Sequence, residues 1–266
     1  MNDAALRQVA PDQAVSLSHM PFTFDRGIAH RAAIGLIVLA TDQTIEHEFR
    51  QMLAIDGVAF YETRIRNAAE INPTTLAEME KGMAGATGLI LPGSTLDVVA
   101  YGCTSGTVVI SEDQVFARIR EARPGIACTT PITAAIAGLK ALSARRIALL
   151  TPYIESVNQM LRRFIEARGI DVPVMGSFNH ENDTEVARIT PDSIRDAARR
   201  LVAAGPIDAV FVSCTSLRVA AIAEALEREI GVPVTSSNHA LAWHCLRLAG
   251  YREPVAGFGS LFKLPG

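Results

Sequence analysis

The tripeptide Cys-Thr-Ser occurs twice in this sequence, at residues 103–105 and 214–216, and both copies follow short apolar segments. An aspartate stands six positions before each cysteine, Asp97 in DVVAYGCTS and Asp208 in DAVFVSCTS. The segments RAAIGLIVLATDQ and ARRIALLTPYIES, which precede the two motifs, are separated by about the same distance as the motifs themselves. The chain is therefore predicted to consist of two related halves, each with one thiol at the end of a β-strand.

Apolar segments of strand length alternate with amphipathic segments of helical length along both halves. The first half begins with AIGLIVLA (33–40) and VAFYETRI (58–65), and the second with IALL (147–150) and VPVMGSF (172–178). Strands that alternate with helices predict parallel sheets flanked by helices and joined by right-handed crossovers. The sequence therefore predicts an α/β fold with two pseudo-symmetric domains.

The repeat also sets the expected domain boundaries. Residues 1–30 lack sustained periodicity and are expected to form an N-terminal arm. Domain one is expected to comprise residues 31–130 and to be completed by residues 236–266, which return to it after domain two. Domain two is expected to comprise residues 131–235.

Threonine followed by proline, a capping residue before the first helical position, predicts three helix starts. These pairs are Thr130-Pro131, Thr151-Pro152 and Thr190-Pro191. After the first Cys-Thr-Ser motif a helix is expected from about Ser111, and after the second motif a helix is expected over residues 217–230. Thr74 is expected to cap a further helix in the first half.

Charge and cysteine content limit the partners and the setting of the protein. The formal net charge is −3 and Lys and Arg do not cluster along one face, which excludes a surface for nucleic acid. No segment is typical of a signal peptide or a membrane span, so we expect a cytoplasmic protein with a small-molecule partner. In a reducing compartment the four cysteines are expected to be free thiols, and Cys128 and Cys245 to be core residues.

Functional residues of open α/β sheets lie beyond the carboxyl ends of the strands. Asp42, Cys103, Thr129, Tyr153 and Cys214 all fall at such positions, which predicts one site between the two domains. Backbone N–H groups at the start of each motif are expected to favour a thiolate and to hold a substrate carboxylate. Hydroxyl groups of the motifs are expected to help stabilise an enolate-like intermediate. These hydroxyls belong to Thr104, Ser105, Thr215 and Ser216.

Two thiols on opposite sides of a planar intermediate suit three reactions. If one thiolate removes a proton and the other thiol returns one to the opposite face, a carbon centre is inverted. If one thiolate adds to a double bond, rotation about the new single bond and loss of the sulfur isomerise an alkene. A decarboxylase needs only one thiol, which protonates the carbanion. The sequence lacks a GxGxxG motif, a P-loop and a metal-spaced His cluster, so we expect neither a cofactor nor a metal.

The segments AYGCTSG (100–106), VSCTS (212–216) and TPY (151–153) resemble the Asp/Glu racemase superfamily, and within it the maleate isomerase and arylmalonate decarboxylase branch. The resemblance implies two flavodoxin-like domains with the active site in the cleft, no cofactor, and a homo-oligomer, either a dimer or a tetramer. It also implies that Cys103 attacks an alkene, that Cys214 assists and that Tyr153 contacts a substrate carboxylate. In the resemblance, arylmalonate decarboxylase keeps only the second of the two cysteines and has glycine at the first, so the presence of both here argues against that activity.

The turn after the first strand departs from the maleate isomerase pattern. Those enzymes are similar to one another in a PSSNT-like turn whose asparagine binds substrate, whereas LATDQT places Asp42 at that position. A second family asparagine falls at Asn182 or Asp183. A carboxylate at Asp42 would repel the dianion maleate and would attract an ammonium group. We therefore expect a small carboxylate substrate that carries an amino group.

These observations favour an isomerase, namely a racemase or epimerase that acts on an amino acid. Because LATDQT is most similar to the ectoine-utilisation member of the branch, the substrate suggested by the resemblance is a 2,4-diaminobutyrate derivative. Cis–trans isomerisation of maleate is the alternative reaction. An arylmalonate-type decarboxylase and a binding protein that has lost turnover are the remaining alternatives.

Overall fold

Two parallel four-stranded sheets form the centre of the computed structural model, which describes residues 16–180 and 182–265. The strands of the first sheet are β1 (Ala32–Leu39), β2 (Val58–Ile65), β3 (Val98–Tyr101) and β4 (Ala127–Thr129). Those of the second sheet are β5 (Arg146–Thr151), β6 (Asp171–Ser177), β7 (Ala209–Val212) and β8 (Val234–Ser236). All neighbouring strands are parallel, in the orders β2-β1-β3-β4 and β6-β5-β7-β8. The predicted α/β fold with two flavodoxin-like halves is confirmed.

Helices flank both sheets and bury their central strands, which explains why those strands are apolar throughout rather than alternating. The helices of the first half are α1 (Ile45–Met52), α2 (Pro73–Glu78), α3 (Met83–Leu89), α4 (Thr104–Ile110) and α5 (Glu112–Ala122). Those that follow β4 are α6 (Pro131–Ala141), α7 (Glu155–Glu166), α8 (Asp183–Val186), α9 (Pro191–Ala203), α10 (Ala223–Ile230) and α11 (Ser237–Leu248).

The two aspartates of the repeat hold the starts of the central strands. Asp97 Oδ2 accepts a hydrogen bond from the N–H of Ala33 (2.7 Å), and Asp208 Oδ2 accepts from the N–H groups of Arg145 and Arg146 (2.8 Å each). Each aspartate directly precedes the strand that leads into a Cys-Thr-Ser motif. The repeated aspartate therefore aligns each thiol-bearing strand with its neighbour.

Helices α6 and α11 cross between the two halves. α6 follows the first sheet and packs against β8 of the second sheet, whereas α11 follows β8 and packs against β3 and β4 of the first. The two helices also pack against each other. The division into residues 31–130 with 236–266 and residues 131–235 stays a prediction, and its boundaries fall at the starts of these crossing helices.

Two of the three Thr-Pro pairs begin helices as predicted, but Thr151-Pro152 does not. Thr151 is the last residue of β5, and its hydroxyl donates a hydrogen bond to Asn158 Oδ1 (2.5 Å). Helix α7 begins only at Glu155, with Ile154 as its N-cap. The hydrogen bond of Thr151 stabilises the turn between β5 and α7, and Tyr153 lies in that turn.

The segments after the two motifs differ from each other and from the prediction. The helix expected from about Ser111 is α5, but the earlier helix α4, which begins directly at Thr104, was not predicted. After the second motif residues 217–222 form turns, so only Ala223–Ile230 of the expected helix is helical. Asn72, rather than Thr74, caps α2, because its side chain accepts hydrogen bonds from two N–H groups of the first turn.

The predicted N-terminal arm, residues 1–30, lies in part outside the described residues. Within residues 16–28 the chain has little regular structure and exposes the side chains of Phe22, Phe24 and Ile28. None of the helices in the described ranges is both long enough and apolar enough to cross a membrane.

Candidate active site

A narrow cavity of about 20 Å³ lies where strands of both sheets end. Its lining residues lie at the end of β1 and after β2, β3, β5, β6 and β7, and one side is closed by the segment 67–76. Ala69 and Glu70 of that segment pair with Asp183 and Asn182 of the other half, so the segment joins the halves over the cavity. The lining residues are Leu39, Asn67, Ala68, Glu70, Ile71, Thr75, Leu76, Met79, Cys103, Thr104, Ser105, Tyr153, Asp183, Cys214 and Thr215.

Most of the site residues predicted from the sequence meet at this cavity. The residues on its wall are Cys103, Thr104, Ser105, Tyr153, Asp183, Cys214 and Thr215. Four other predicted residues are not part of its lining: Asp42, Thr129, Asn182 and Ser216. The two thiols therefore share one cavity, as the repeat suggested.

Cys103 is the N-cap of α4 and lies against the first turn of that helix. Its Sγ accepts a hydrogen bond from the N–H of Gly106 (3.2 Å) and lies 3.9 Å from Ser105 Oγ. A Cβ atom at Gly106 would stand 2.9 Å from this sulfur and 2.8 Å from Met79 Cε. Only glycine permits the close approach of the backbone to the thiol, because any side chain would displace the sulfur.

Cys214 is held in a turn rather than at a helix start. Its Sγ accepts from the N–H of Ser216 (3.4 Å), and its own N–H donates to Ser237 Oγ (3.0 Å). The Ser237 hydroxyl is also hydrogen bonded to Thr104 Oγ1 (2.7 Å). Ser237, the first residue of α11, thus links the two Cys-Thr-Ser motifs, a role that the sequence did not reveal.

The N–H groups of the motifs lower the pKa of both thiols, as expected, but burial raises it by more. Burial raises the pKa of the Cys103 thiol to about 12, although the Gly106 N–H and the Ser105 hydroxyl lower it. Burial also raises the pKa of Cys214 far above its usual range, and the carboxylate of Asp183 adds to the effect at both thiols. Desolvation of a charged sulfur outweighs the few N–H donors here. Both cysteines are therefore neutral thiols in the closed site.

Tyr153 lies between the two motifs. Burial raises the pKa of its hydroxyl well above the usual value; Cys214 and Cys103 raise that pKa further, whereas Ser105 lowers it. The backbone is fixed because the Tyr153 carbonyl accepts from Asn158 Nδ2 (2.8 Å) and Ser177 Oγ (2.5 Å). Tyr153 is therefore a neutral phenol on the cavity wall, and its backbone is rigidly held.

Tyr153→Phe is expected to lower kcat by about a hundredfold, because it removes one fixed hydrogen-bond donor from the site. The fold should be retained, since the hydrogen bonds that stabilise this turn involve the N–H and carbonyl of Tyr153 and not its hydroxyl. Steady-state kinetics and a thermal unfolding curve would check both statements. A variant with unchanged kcat would show that the hydroxyl serves packing alone.

Asp42 is buried behind the second motif rather than on the cavity wall. Its Oδ1 accepts from the N–H groups of Thr44 (2.7 Å) and Ile45 (2.9 Å), while its Oδ2 is buried without a hydrogen-bond partner. Burial raises the pKa of Asp42 to about 6, and the Thr215 side chain lowers it. This aspartate holds the turn that precedes α1, and a role toward substrate stays a prediction.

Glu48 on α1 supports the turn that follows the second motif, a role that the sequence analysis did not predict. Its Oε1 accepts from the N–H groups of Val219 (2.6 Å) and Ala220 (2.7 Å), and its Oε2 accepts from Asn238 Nδ2 (2.8 Å). Asn238 Nδ2 also donates to the carbonyl of Thr215 (2.7 Å). Burial raises the pKa of Glu48 to about 7 despite these donors.

The remaining predicted residues have local partners. Thr129 Oγ1 is hydrogen bonded to His244 Nδ1 (2.8 Å), and burial lowers the pKa of His244 to about 4. Asn182 Oδ1 accepts from the N–H groups of Thr184 and Glu185 and caps α8. Among residues 16–180 and 182–265, no three His, Cys, Asp or Glu side chains are placed to share a metal ion.

Comparisons with known proteins place this chain in a family. A model of the arylmalonate decarboxylase family matches residues 107–262. The arylmalonate decarboxylase of Bordetella bronchiseptica is 36% identical over 146 residues, which are 54% of this chain and 60% of that protein. The maleate isomerase of Nocardia farcinica is 28% identical over 241 residues, covering 86% of this chain and 95% of that protein.

A solved structure of the Nocardia farcinica maleate cis–trans isomerase has a TM-score of 0.78 and 26% identity to this chain. The match covers 87% of this chain and 98% of that chain. The solved structure is that of a cysteine-to-serine mutant with a covalently bound succinylcysteine intermediate. The relatives are thus enzymes whose fold extends over most of this chain. The chain belongs to the arylmalonate decarboxylase family, in the branch of the Asp/Glu racemase-like fold that also contains the maleate isomerases.

Proposed function

We propose that this protein is a cofactor-independent isomerase that uses Cys103 and Cys214 on a small carboxylate, and that its reaction is cis–trans isomerisation. The observation that carries the proposal is that both thiols line one cavity with Tyr153 beside them. The likeness to maleate isomerases over 86% of the chain supports it further. Arylmalonate-type decarboxylation is less favoured, because it uses a single thiol.

In the proposed reaction, the sulfur of Cys103 forms a bond to one alkene carbon of the substrate. The neighbouring carbon receives the π electrons of the double bond and is protonated by the Cys214 thiol. Cys214 in turn takes up the proton that the Cys103 thiol loses. Rotation about the new C–C single bond is followed by the reverse steps, which restore both thiols and release the trans alkene. The succinylcysteine described for the Nocardia farcinica mutant is an adduct of this type.

Racemisation or epimerisation of an amino acid is the second candidate. It is favoured by the two acidic side chains on the cavity wall, Asp183 and Glu70, which suit a substrate with an amino group better than a dianion. Here the thiols would exchange a proton at the α-carbon without a covalent adduct. A 2,4-diaminobutyrate derivative and a role in ectoine utilisation remain predictions within this candidate.

Proton NMR in deuterated buffer tests the proposal and separates the candidates. For cis–trans isomerisation we expect the olefinic signal of maleate, or of a related cis acid, to be replaced by that of the trans isomer. For racemisation, the α-hydrogen signals of aspartate, glutamate or 2,4-diaminobutyrate would instead disappear. Loss of carbon dioxide from an arylmalonate, or binding without any conversion, would contradict the proposed isomerase.

A further inference from the structure

Asp183 places a carboxylate on the wall of the catalytic cavity and is only 6% exposed. Its Oδ2 accepts a hydrogen bond from Thr41 Oγ1 (2.5 Å), and its Oδ1 accepts one from Ser216 Oγ (2.7 Å). These neutral donors fix the orientation of the group but leave its charge uncompensated. A carboxylate has about four acceptor positions, so each oxygen can still accept a further hydrogen bond from a ligand.

The cavity offers no positive side chain to pair with this carboxylate. Among the described residues that line it there is no Lys, Arg or His, and the second ionisable acid is Glu70 at the exposed edge. A buried charge without a counter-charge is unfavourable unless a ligand supplies one. The electrostatic character of the site therefore fits a cationic group next to Asp183.

Asp183 also acts on both thiols. Its negative charge raises the pKa of Cys103 and that of Cys214, so it opposes the thiolate that the reaction requires. A dianionic substrate would raise the pKa of the thiols further, whereas an ammonium group beside Asp183 would lower it. A substrate with an ammonium group would therefore favour formation of the thiolate that attacks it.

We infer that Asp183 selects a zwitterionic substrate, a small acid whose carboxylate contacts the Cys-Thr-Ser motifs and whose ammonium group contacts Asp183. The inference rests on the proposed function and adds the substrate class to it. Asp183, which the sequence placed only as one of two candidates beside Asn182, then takes the role that the sequence suggested for Asp42. Glu70 extends the negative surface to the entrance of the cavity.

The competing explanation is that Asp183 only holds the two halves together. Its N–H donates to the carbonyl of Ala69 (3.1 Å), and its contact with Thr41 also crosses between the halves. A purely structural Asp183 predicts that its replacement lowers activity toward all substrates alike. A selective Asp183 predicts a change in the ratio between substrates of different charge.

Asp183→Asn tests the inference because it removes the charge and keeps the shape. For the wild-type protein we expect kcat/KM for the cis isomer of 4-aminobut-2-enoate to exceed that for maleate by about tenfold or more. In Asp183→Asn this ratio should fall by about tenfold. Asp192→Asn, at a side chain that is 85% exposed on α9, makes the same change in net charge and should leave the ratio unaltered.

Binding separates this inference from the proposed function. Isothermal titration calorimetry of the same two acids with Cys103→Ser and with Cys103→Ser/Asp183→Asn measures the charge preference without turnover. If the protein isomerises neither acid but binds the zwitterions more tightly through Asp183, the reaction is wrong and the substrate class stands. If maleate is bound and turned over as well as the zwitterion, and Asp183→Asn leaves the ratio unchanged, the inference is overturned.

Discussion

Cys103→Ser is expected to lower kcat/KM by at least about a thousandfold and to abolish any covalent adduct with substrate. A serine hydroxyl is a far weaker nucleophile than a thiol at neutral pH, and in the proposed reaction the first step is attack by this sulfur. The Gly106 N–H that lies 3.2 Å from Sγ would still hold the smaller oxygen, so the fold should be retained.

Cys214→Ser is expected to cause a similar loss of turnover but the opposite result for the adduct. Without the second thiol the proton steps become slow, while Cys103 can still add to the alkene. Intact-protein mass spectrometry after incubation with a cis acid should therefore show one added substrate molecule in Cys214→Ser. Cys128→Ser, which removes a buried thiol outside the cavity, is the matched control and should turn over normally.

The two serine variants also discriminate between the candidate reactions. A racemase would lose α-hydrogen exchange in both variants and form no adduct in either. An adduct on Cys214 in the Cys103→Ser variant would reverse the roles assigned to the two thiols. Full activity in either variant would refute a two-thiol mechanism.

Glu48→Ala is expected to lower the free energy of unfolding by about 3 kcal/mol, on the order of 1 kcal/mol for each donor left without a partner. Those donors are the N–H groups of Val219 and Ala220 and the side-chain amide of Asn238. Because Asn238 also holds the Thr215 carbonyl, turnover should fall as well. Urea unfolding measures the first effect, and Gln51→Ala, at an exposed position of the same helix, should change stability by less than about 0.5 kcal/mol.

Glu48→Gln is expected to remove part of the pH dependence of stability. Burial raises the pKa of Glu48 from 4.5 to about 7, so the folded protein binds this proton more tightly than the unfolded chain does. This difference in pKa stabilises the folded protein fully below about pH 4.5, and the stabilisation is lost as the pH rises through about 7. The free energy of unfolding falls by up to about 3 kcal/mol over this range. Asp42, with a pKa raised to about 6, acts in the same direction in both proteins.

Urea unfolding at a series of pH values between about 5 and 8 measures this difference. The wild-type protein should lose stability over that interval more steeply than Glu48→Gln. Parallel curves would mean that Glu48 keeps its charge throughout, stabilised by its three donors.

The repeat allowed the fold and the thiol pair to be predicted, because strand patterns and a motif at strand ends are local properties of the sequence. Ser237 and Glu48 could not be predicted in the same way. Their partners lie far away in the chain. A serine at a helix start and a glutamate on an amphipathic helix are both common, so no local sequence pattern indicates their roles. Asp183 was named, but its place on the cavity wall depends on how residues 67–76 close over it.

The helix that carries Ser237 and Asn238 has a consequence for the synthesis of this protein. The ribosome completes both sheets before it releases α11, yet the N–H of Cys214 and the hydroxyl of Thr104 have their shared partner on α11. Domains of nascent chains fold in order of emergence. The strands of each half can therefore form during translation, but the two thiols come into register only when α11 docks against both halves. A chain arrested before residue 237 is expected to lack the proposed activity.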